Sequence, residues 1–370
     1  MVPRSIEELE RKGLFWRETL DSSKLMAEYP PKFMNPHKNW IYSQISPKNF
    51  PPKGALTLSR WQALPIPSKQ DFIPPISGET KIEVDSGFFR YQTKPNEFMD
   101  DQCCVWHLNF ADRNLFGYYQ GALFAQDEMQ VMEHPILGSV RSWLEEKSLE
   151  NSNYHPNTQD ASGSPTPYLF RGVERRVKIA TGKNSQEGRP YGLYGNHFMR
   201  ASKEAIEKAM TVLNPPTISN ILAISAISPR YGFYTREQIV KLFTTVYTGF
   251  VAARVESQRT GEVIEDVKNK VEEVEKESEK GIRTIIHTGN WGCGVFGGNP
   301  TLIALIQLLG AYFAGIDILV YHPVSNMSQF KGALDIFNRE LKLELKEKGA
   351  MDALIKLENY GYKWGVSDGN

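Results

Sequence analysis

The chain has 370 residues, 41% of them hydrophobic and 23% charged, which leaves room for two ordinary domains or one large domain with an accessory layer. Its 43 basic and 43 acidic side chains cancel, so no overall field draws it onto nucleic acid or an anionic membrane, and neither is expected as a partner. The three cysteines, Cys103, Cys104 and Cys293, lack the spacing of a disulfide framework or a zinc site, so reduced thiols in a cytoplasmic or nuclear setting are expected, with no metal.

The opening MVPRSIEELERKGLFWRETL is charged throughout and does not read as a signal peptide. A short polar helix is expected over 5–22. A proline-studded run over 29–75 follows, with Pro-Pro pairs at 30–31, 51–52 and 74–75, and proline at this density predicts an extended segment wrapped on a surface. Strands are expected at Lys81–Val84, 88–92 and 103–110, then a helix over 121–134 that Pro135 stops. Residues 150–195 are rich in Ser, Asn, Pro and Gly and read as a long functional or disordered loop, with a basic strand at 173–180. A helix over 203–212 and a strand over 220–228 come next. Thr235, with Gln238 three positions on, starts a helix that runs to about Arg259. A charged amphipathic helix spans 262–280. The chain then alternates: strand 283–288, helix 301–313, strand 317–322, helix 328–346.

Strands and helices in that order predict an α/β fold, a mixed sheet with helices on both faces plus an N-terminal accessory region. The longest apolar stretch, 302–313, is broken by Gln307 and Gly310 and is too short to span a bilayer. His107, His134, His287 and His322 are scattered singly along the sequence and read as structural.

Two segments carry chemistry. In TIIHTGNWGCGVFGGNPTLIALIQLLG, a strand ends at Thr288 and a helix begins near Pro300, with Gly289, Gly292, Gly294, Gly297 and Gly298 between them. Asn299 suits the N-cap and Pro300 the first helical position. Glycines at the carboxyl end of a strand let backbone N–H groups approach phosphate oxygens, and the helix terminus favours an anion. The loop is equally readable as a tight buried turn, with Trp291 and Phe296 either stacking on a ribose or base or anchoring the core. It matches neither a Walker loop nor a dinucleotide fingerprint.

In LNFADRNLFGYYQGALFAQDE, 108–128, a strand ends near Phe110 and a helix presents Gln126, Asp127 and Glu128 in its first turns. Adjacent carboxylates diverge by about 100° around a helix, so they meet different environments, which acid–base chemistry exploits. Acidic residues are also common in first turns because they offset the dipole, and that same terminus lowers a carboxylate pKa. A general acid here therefore requires burial.

Together the segments resemble the poly(ADP-ribose) glycohydrolase family, its microbial branch in particular. Asn109-Phe110-Ala111, Arg113-Asn114, Gly117, Gly121 and Gln126-Asp127-Glu128 follow that branch's order, and 291–297 looks like its late Trp-Gly-Cys-Gly-Ala-Phe-Gly loop with one conservative change. The resemblance implies a macrodomain-like catalytic domain over 80–346, between an accessory region at 1–79 and a tail at 347–370. It implies binding of ADP-ribose or an ADP-ribosylated protein between the two loops, with no cofactor. Glu128 would be the general acid at the oxygen leaving the anomeric carbon, and Asp127 would hold a ribose hydroxyl. Asn109, Asn114, Gly117, Gln126, Gly292, Gly294, Val295 and Phe296 would bind substrate.

Two departures stand out. The family's triple glycine is here Phe116-Gly117-Tyr118, and its first glutamate is shortened to Asp127. Three functions follow as expectations. The first is a glycohydrolase that frees ADP-ribose from a polymer, protein or other acceptor; the second is a catalytically silent ADP-ribose reader. The third is an interaction protein working through its proline-rich N-terminus and the 262–280 helix. The aromatic loop Tyr231-Gly232-Phe233-Tyr234 follows a strand and is a weak further candidate for ribose contact, with hydrophobic cover for the next helix an equal reading.

Overall fold

The computed structural model describes residues 5–91, 103–227, 231–259, 281–345 and 347–365. The helix expected over 262–280 lies outside them. In chain order the described elements are α1 (Ile6–Gly13), β1 (Leu14–Asp21), α2 (Ser22–Glu28), α3 (Pro36–Ile45), β2 (Ala55–Trp61), β3 (Lys81–Val84), β4 (Cys103–Ala111), α4 (Gln126–Glu133) and α5 (Ile136–Glu150). There follow β5 (Tyr168–Ile179), α6 (His197–Arg200), α7 (Lys203–Ala209), β6 (Met210–Ser225), α8 (Arg236–Gln258), β7 (Arg283–Gly289), α9 (Pro300–Ala314) and β8 (Ile318–His322). The last helices are α10 (Met327–Ile336), α11 (Lys342–Leu345) and α12 (Ala350–Asn359).

The strands form one eight-stranded sheet in the order β1-β2-β5-β6-β4-β7-β8-β3. From β6 to β3 the neighbours are parallel, and β1, β2 and β5 add to β6 as antiparallel strands. Alternation along the central strands divides the core in two. Trp106, Leu108, Leu222 and Ile224 point into one apolar cluster with α8, α9 and α12, and Ile221 and Ala223 point into another with α3, α4 and α5. On β4 the second face carries His107 and Asn109, of which Asn109 hydrogen-bonds to Asp127. The expected mixed sheet with helices on both faces is what forms.

Several elements differ from their sequence-based expectation. The expected helix over 5–22 is α1 only, capped by Ser5, and the chain then enters β1. The proline-rich 29–75 is only partly extended: Pro36 sits at the first position of α3, behind an Asn35 cap, and β2 extends the sheet. Residues 88–91 form no strand; Gln92 lies outside the described residues. The helix placed at 121–134 begins only at Gln126, and Pro135 separates it from α5 at once.

β5 contains most of the strand expected at 173–180 but begins five residues earlier, at Tyr168, inside a stretch otherwise read as loop. Its Glu174, Arg175 and Arg176 look like surface in sequence but are buried, Arg175 paired with Glu133 (2.8 Å) and Arg176 with Glu174 (2.6 Å). β6 likewise starts at Met210 and runs past Pro215-Pro216, because the register against β5 jumps from Val212 to Thr217 and leaves the prolines in a bulge. Finally, the 347–370 stretch contains α12, whose Ala353, Leu354 and Leu357 are buried. No helix among the described residues is long and apolar enough to cross a membrane.

Candidate active site

A cavity of about 1100 Å³ opens beyond the carboxyl ends of β4, β7 and β8. One wall is the start of α4, with Ala125, Gln126, Asp127, Glu128 and Met129. The opposite wall is the glycine loop, Gly289 to Phe296, and Val324, Ser325 and Asn326 continue it after β8. A strap from β3, including Phe88 to Tyr91, crosses a third side, and β5 contributes Arg175 and Lys178.

The glycine loop is shaped from within. Gly298 N–H donates to Gly292 O (2.8 Å), Cys293 N–H to Asn290 O (3.0 Å) and Gly297 N–H to Gly294 O (2.9 Å). Gly292 has φ +70°, and a Cβ there would meet the Ala226 Cβ at 2.5 Å, so glycine is required twice over. Asn299 accepts from Thr301 and Leu302 N–H at 3.1 Å each, which caps α9 as its sequence predicts. Trp291 is fully buried and its indole N–H donates to Ile224 O (3.0 Å), so it anchors the loop to β6. Phe296 is half-buried and Val295 is 40% exposed, both on the cavity wall.

Across the cavity, Gln126 uses its amide on the backbone of β4, accepting from Phe110 N–H (2.7 Å) and donating to Leu108 O (2.9 Å). This pins the helix start to the strand end. Asp127 and Glu128 are both buried. Asn109, with no exposed surface, donates to Asp127 Oδ1 (3.0 Å) and to Gln130 Oε1 (2.8 Å). Glu128 Oε2 accepts from Ala125 N–H (3.1 Å), a bond from the residue just before the helix. Burial pushes the Asp127 carboxyl well above the usual carboxylate range, and the neighbouring Glu128 charge pushes the same way. Burial also raises Glu128, outweighing the helix N-terminus, the Ala125 N–H and the charge of Lys38, which pull it down. The pair therefore retains a proton at higher pH than free carboxyls do.

The structure thus brings Gln126, Asp127, Glu128, Gly292, Gly294, Val295 and Phe296 onto one cavity. Asn109 lies behind Asp127. Asn114 and Gly117 do not line the cavity: Asn114 Oδ1 accepts from Arg141 (2.9 Å), and Gly117 N–H donates to Asn114 O (2.8 Å). A Cβ on Gly117 would meet the Asn114 amide nitrogen at 2.3 Å, so this glycine makes room for a neighbouring side chain. Phe116 adopts φ +51°, a glycine-like conformation, and is buried against Phe170. Tyr231 and Phe233 point away from the cavity, and Tyr234 instead stacks on Trp364 (4.1 Å) and accepts Asn299 N–H (3.1 Å), bracing the glycine loop from behind.

Three of the histidines read as scattered are in fact neighbours. His107 stacks on His287 (4.8 Å), and His287 Nδ1 lies 2.9 Å from His322 Nε2, whose other ring nitrogen donates to Gly87 O (3.0 Å). Parallel strands separated by 180 residues hide this from sequence. Lys38, a fully buried lysine from α3, also went unsingled: nothing in NPHKNW marks it. Among the described residues no cluster of His, Cys, Asp or Glu has the arrangement to hold a metal ion.

A mixed sheet with helical layers on both faces, and a buried acid pair facing a glycine loop across a cavity at its strand ends, define an α/β protein. Residues 185–331 match the family model described as poly(ADP-ribose) glycohydrolase (PARG), macro domain fold. The match includes the glycine loop; the carboxylate segment lies outside it. No curated protein matches the chain by sequence.

Among solved structures, a point mutant of poly(ADP-ribose) glycohydrolase from Thermomonospora curvata is similar at 14% identity, with 84% of this chain and 98% of that one covered and a TM-score of 0.43. The same organism's enzyme bound to the inhibitor ADP-HPD gives 16% identity, coverage of 84% and 98%, and a TM-score of 0.41. The Deinococcus radiodurans enzyme in complex with ADP-ribose gives 12%, coverage of 90% and 98%, and a TM-score of 0.41. Similarity at this level carries no argument about residues or ligands.

Proposed function

We propose that the chain is an ADP-ribosyl glycohydrolase that cleaves the O-glycosidic bond between ADP-ribose and a protein or ADP-ribose acceptor. The observation that carries this reading is the burial-raised Glu128, set in one cavity with a preformed glycine loop. The family match over 185–331 supports the general activity.

In this reading the diphosphate and adjoining ribose lie along Gly292 to Phe296. Glu128, whose hold on its proton is strengthened by burial, donates that proton to the oxygen leaving the anomeric carbon. The C–O bond breaks as positive charge spreads over the ribose ring oxygen and anomeric carbon. Water adds to that carbon and returns a proton to the Glu128 carboxylate, so free ADP-ribose and the acceptor hydroxyl are the products. Asp127, held by Asn109, orients a ribose hydroxyl. Asn109 and Gln126 act as braces, and Asn114 and Gly117 act through the loop that they shape.

One observation favours a second reading, a silent reader of ADP-ribose. Phe116 fills a position where the family has glycine, and the Gly117 N–H is spent on Asn114 O, so the loop offers a phosphate less than a triple glycine would. The test is release of ADP-ribose from mono- and poly-ADP-ribosylated proteins by wild type and Glu128→Gln. Wild-type release that drops at least 100-fold in the variant, with ADP-ribose binding retained, supports the enzyme. Binding without release from any substrate supports the reader, and equal release by both proteins overturns the role of Glu128.

A further inference from the structure

The N-terminal segment reaches the loop that precedes the acid pair through one buried side chain. Lys38, on α3, has no exposed surface, and its Nζ donates to Tyr119 O (2.9 Å) and Leu123 O (2.6 Å). These carbonyls belong to the loop that replaces the family's triple glycine and leads into α4. The same loop is gripped at three more points: Met34 and Asn35 N–H both donate to Gln120 O (3.0 Å each), and Lys32 N–H donates to Tyr119 Oη (3.0 Å). Leu123 and Ala125, at the loop's end, line the cavity, and Ala125 N–H is the donor to Glu128 Oε2.

An ammonium has three donors and no acceptor, so two carbonyls leave Lys38 with capacity directed at its surroundings. A lysine this deeply buried keeps its charge only where negative groups face it. Those groups are Asp127 and Glu128 on α4, whose charges hold the Lys38 pKa up while burial pushes it down to about 8. Facing the carboxyls in turn are Asp112, after β4, which disfavours their ionisation, and Lys38, which favours it. Two adjacent buried carboxyls do not readily ionise together; a cation beside them admits one negative charge.

We propose that Lys38 is a positioning residue for the acid pair: its ammonium ties the 119–125 loop, which leads into α4, to α3 and supplies the positive charge that lets one carboxyl ionise while the other carries the proton. The proposal rests on the reading of Glu128 as the general acid, but its test does not. Above pH 8, as Lys38 loses its proton, the pair's proton affinity rises, and removing the side-chain charge at any pH does the same.

The experiment is a carboxyl ¹³C NMR titration of the ligand-free full chain labelled at Asp and Glu, with the pair's signals assigned by Asp127→Asn and Glu128→Gln. Wild type, Lys38→Met and Lys38→Arg are compared after circular dichroism shows that they are folded. The expected result is a midpoint for the pair at least about one pH unit higher in Lys38→Met, roughly a tenfold gain in proton affinity, and a smaller change in Lys38→Arg. Wild type alone supplies a second readout, because the pair's signals should show a further inflection near pH 8 as Lys38 titrates. A folded Lys38→Met with an unmoved midpoint overturns the proposal; if that variant does not fold, the absence of the wild-type inflection does so. Where turnover is present, the alkaline limb of kcat/KM should move up with the midpoint; absence of turnover alone refutes the glycohydrolase reading and leaves the titration result standing.

Discussion

Replacing Gly292 with alanine tests whether the glycine loop is a fixed cradle. The residue has φ +70°, and a left-handed conformation costs an L-residue about 1–2 kcal/mol. The added Cβ would also lie 2.5 Å from the Cβ of Ala226, which is itself buried just after the end of β6, so neither side gives way freely. Overpacking of this kind costs about 1–3 kcal/mol, for a total of roughly 2–5 kcal/mol. At about 2.1 cal/mol/K per residue, 370 residues give an unfolding entropy of roughly 0.8 kcal/mol/K, so the loss corresponds to about 3–6 °C in thermal midpoint. Differential scanning calorimetry measures it, and isothermal titration with ADP-ribose follows the cradle, whose affinity should fall by roughly tenfold or more if the loop shifts to relieve the contact. The control is Gly332→Ala, exposed on α10 with nothing within 4 Å of the new Cβ; it should gain about 0.5–1 kcal/mol. A Gly292→Ala protein melting within a degree of wild type would refute the packing argument, independently of any ligand.

Val324 on the cavity rim has φ +49° and is 44% exposed, so a β-branched residue is strained there with little burial to offset it. Val324→Asn should therefore stabilise the fold by about 1 kcal/mol, read from chemical denaturation, and a loss of stability would show that the conformation is not strained. His134 is held neutral by burial, its pKa pushed down to about 3 from an ordinary 6.5. The unfolded chain thus binds a proton that the folded one does not between these values, and stability is lost as pH falls from 6.5 towards 3. His134→Gln should flatten that part of the stability–pH curve, and an unchanged slope would remove His134 as its source. Burial raises the Cys104 thiol to about 11 and raises Cys293 further. Iodoacetamide at pH 7.5 should label Cys104 at least 100-fold faster in denaturant than in the native protein, as followed by mass spectrometry; rapid native labelling of Cys104 would contradict its burial.

The parts of the site legible in sequence were those set by local backbone chemistry. Asn299 and Pro300 announce the start of α9, and glycines between a strand and a helix announce the loop. The acidic first turn of α4 is equally local. What stayed hidden depends on tertiary partners. β5 was expected only from Val173 on, and the burial of its arginines and Glu174 was not legible because they look exposed until Glu133 and each other are seen to pair with them. The histidine stack needs β4, β7 and β8 side by side, and Lys38 needs α3 folded under a loop eighty residues away. The burial that raises Glu128 was stated from sequence only as a requirement, because no local pattern shows what covers a helix start.

The way the glycine loop hangs from the sheet bears on how this protein can change. Trp291 ties the loop to β6, Tyr234 and Gly365 brace its far end, and Gly292 and Gly298 close on each other. Those positions answer to the scaffold. Val295 answers mainly to whatever enters the cavity, since its side chain lies on the cavity wall and stands partly in solvent. Selection acting on ligand preference therefore has a narrow, inexpensive place to work: substitutions at 295 can alter what is gripped while the loop's shape, fixed from beneath, passes unchanged to the next variant.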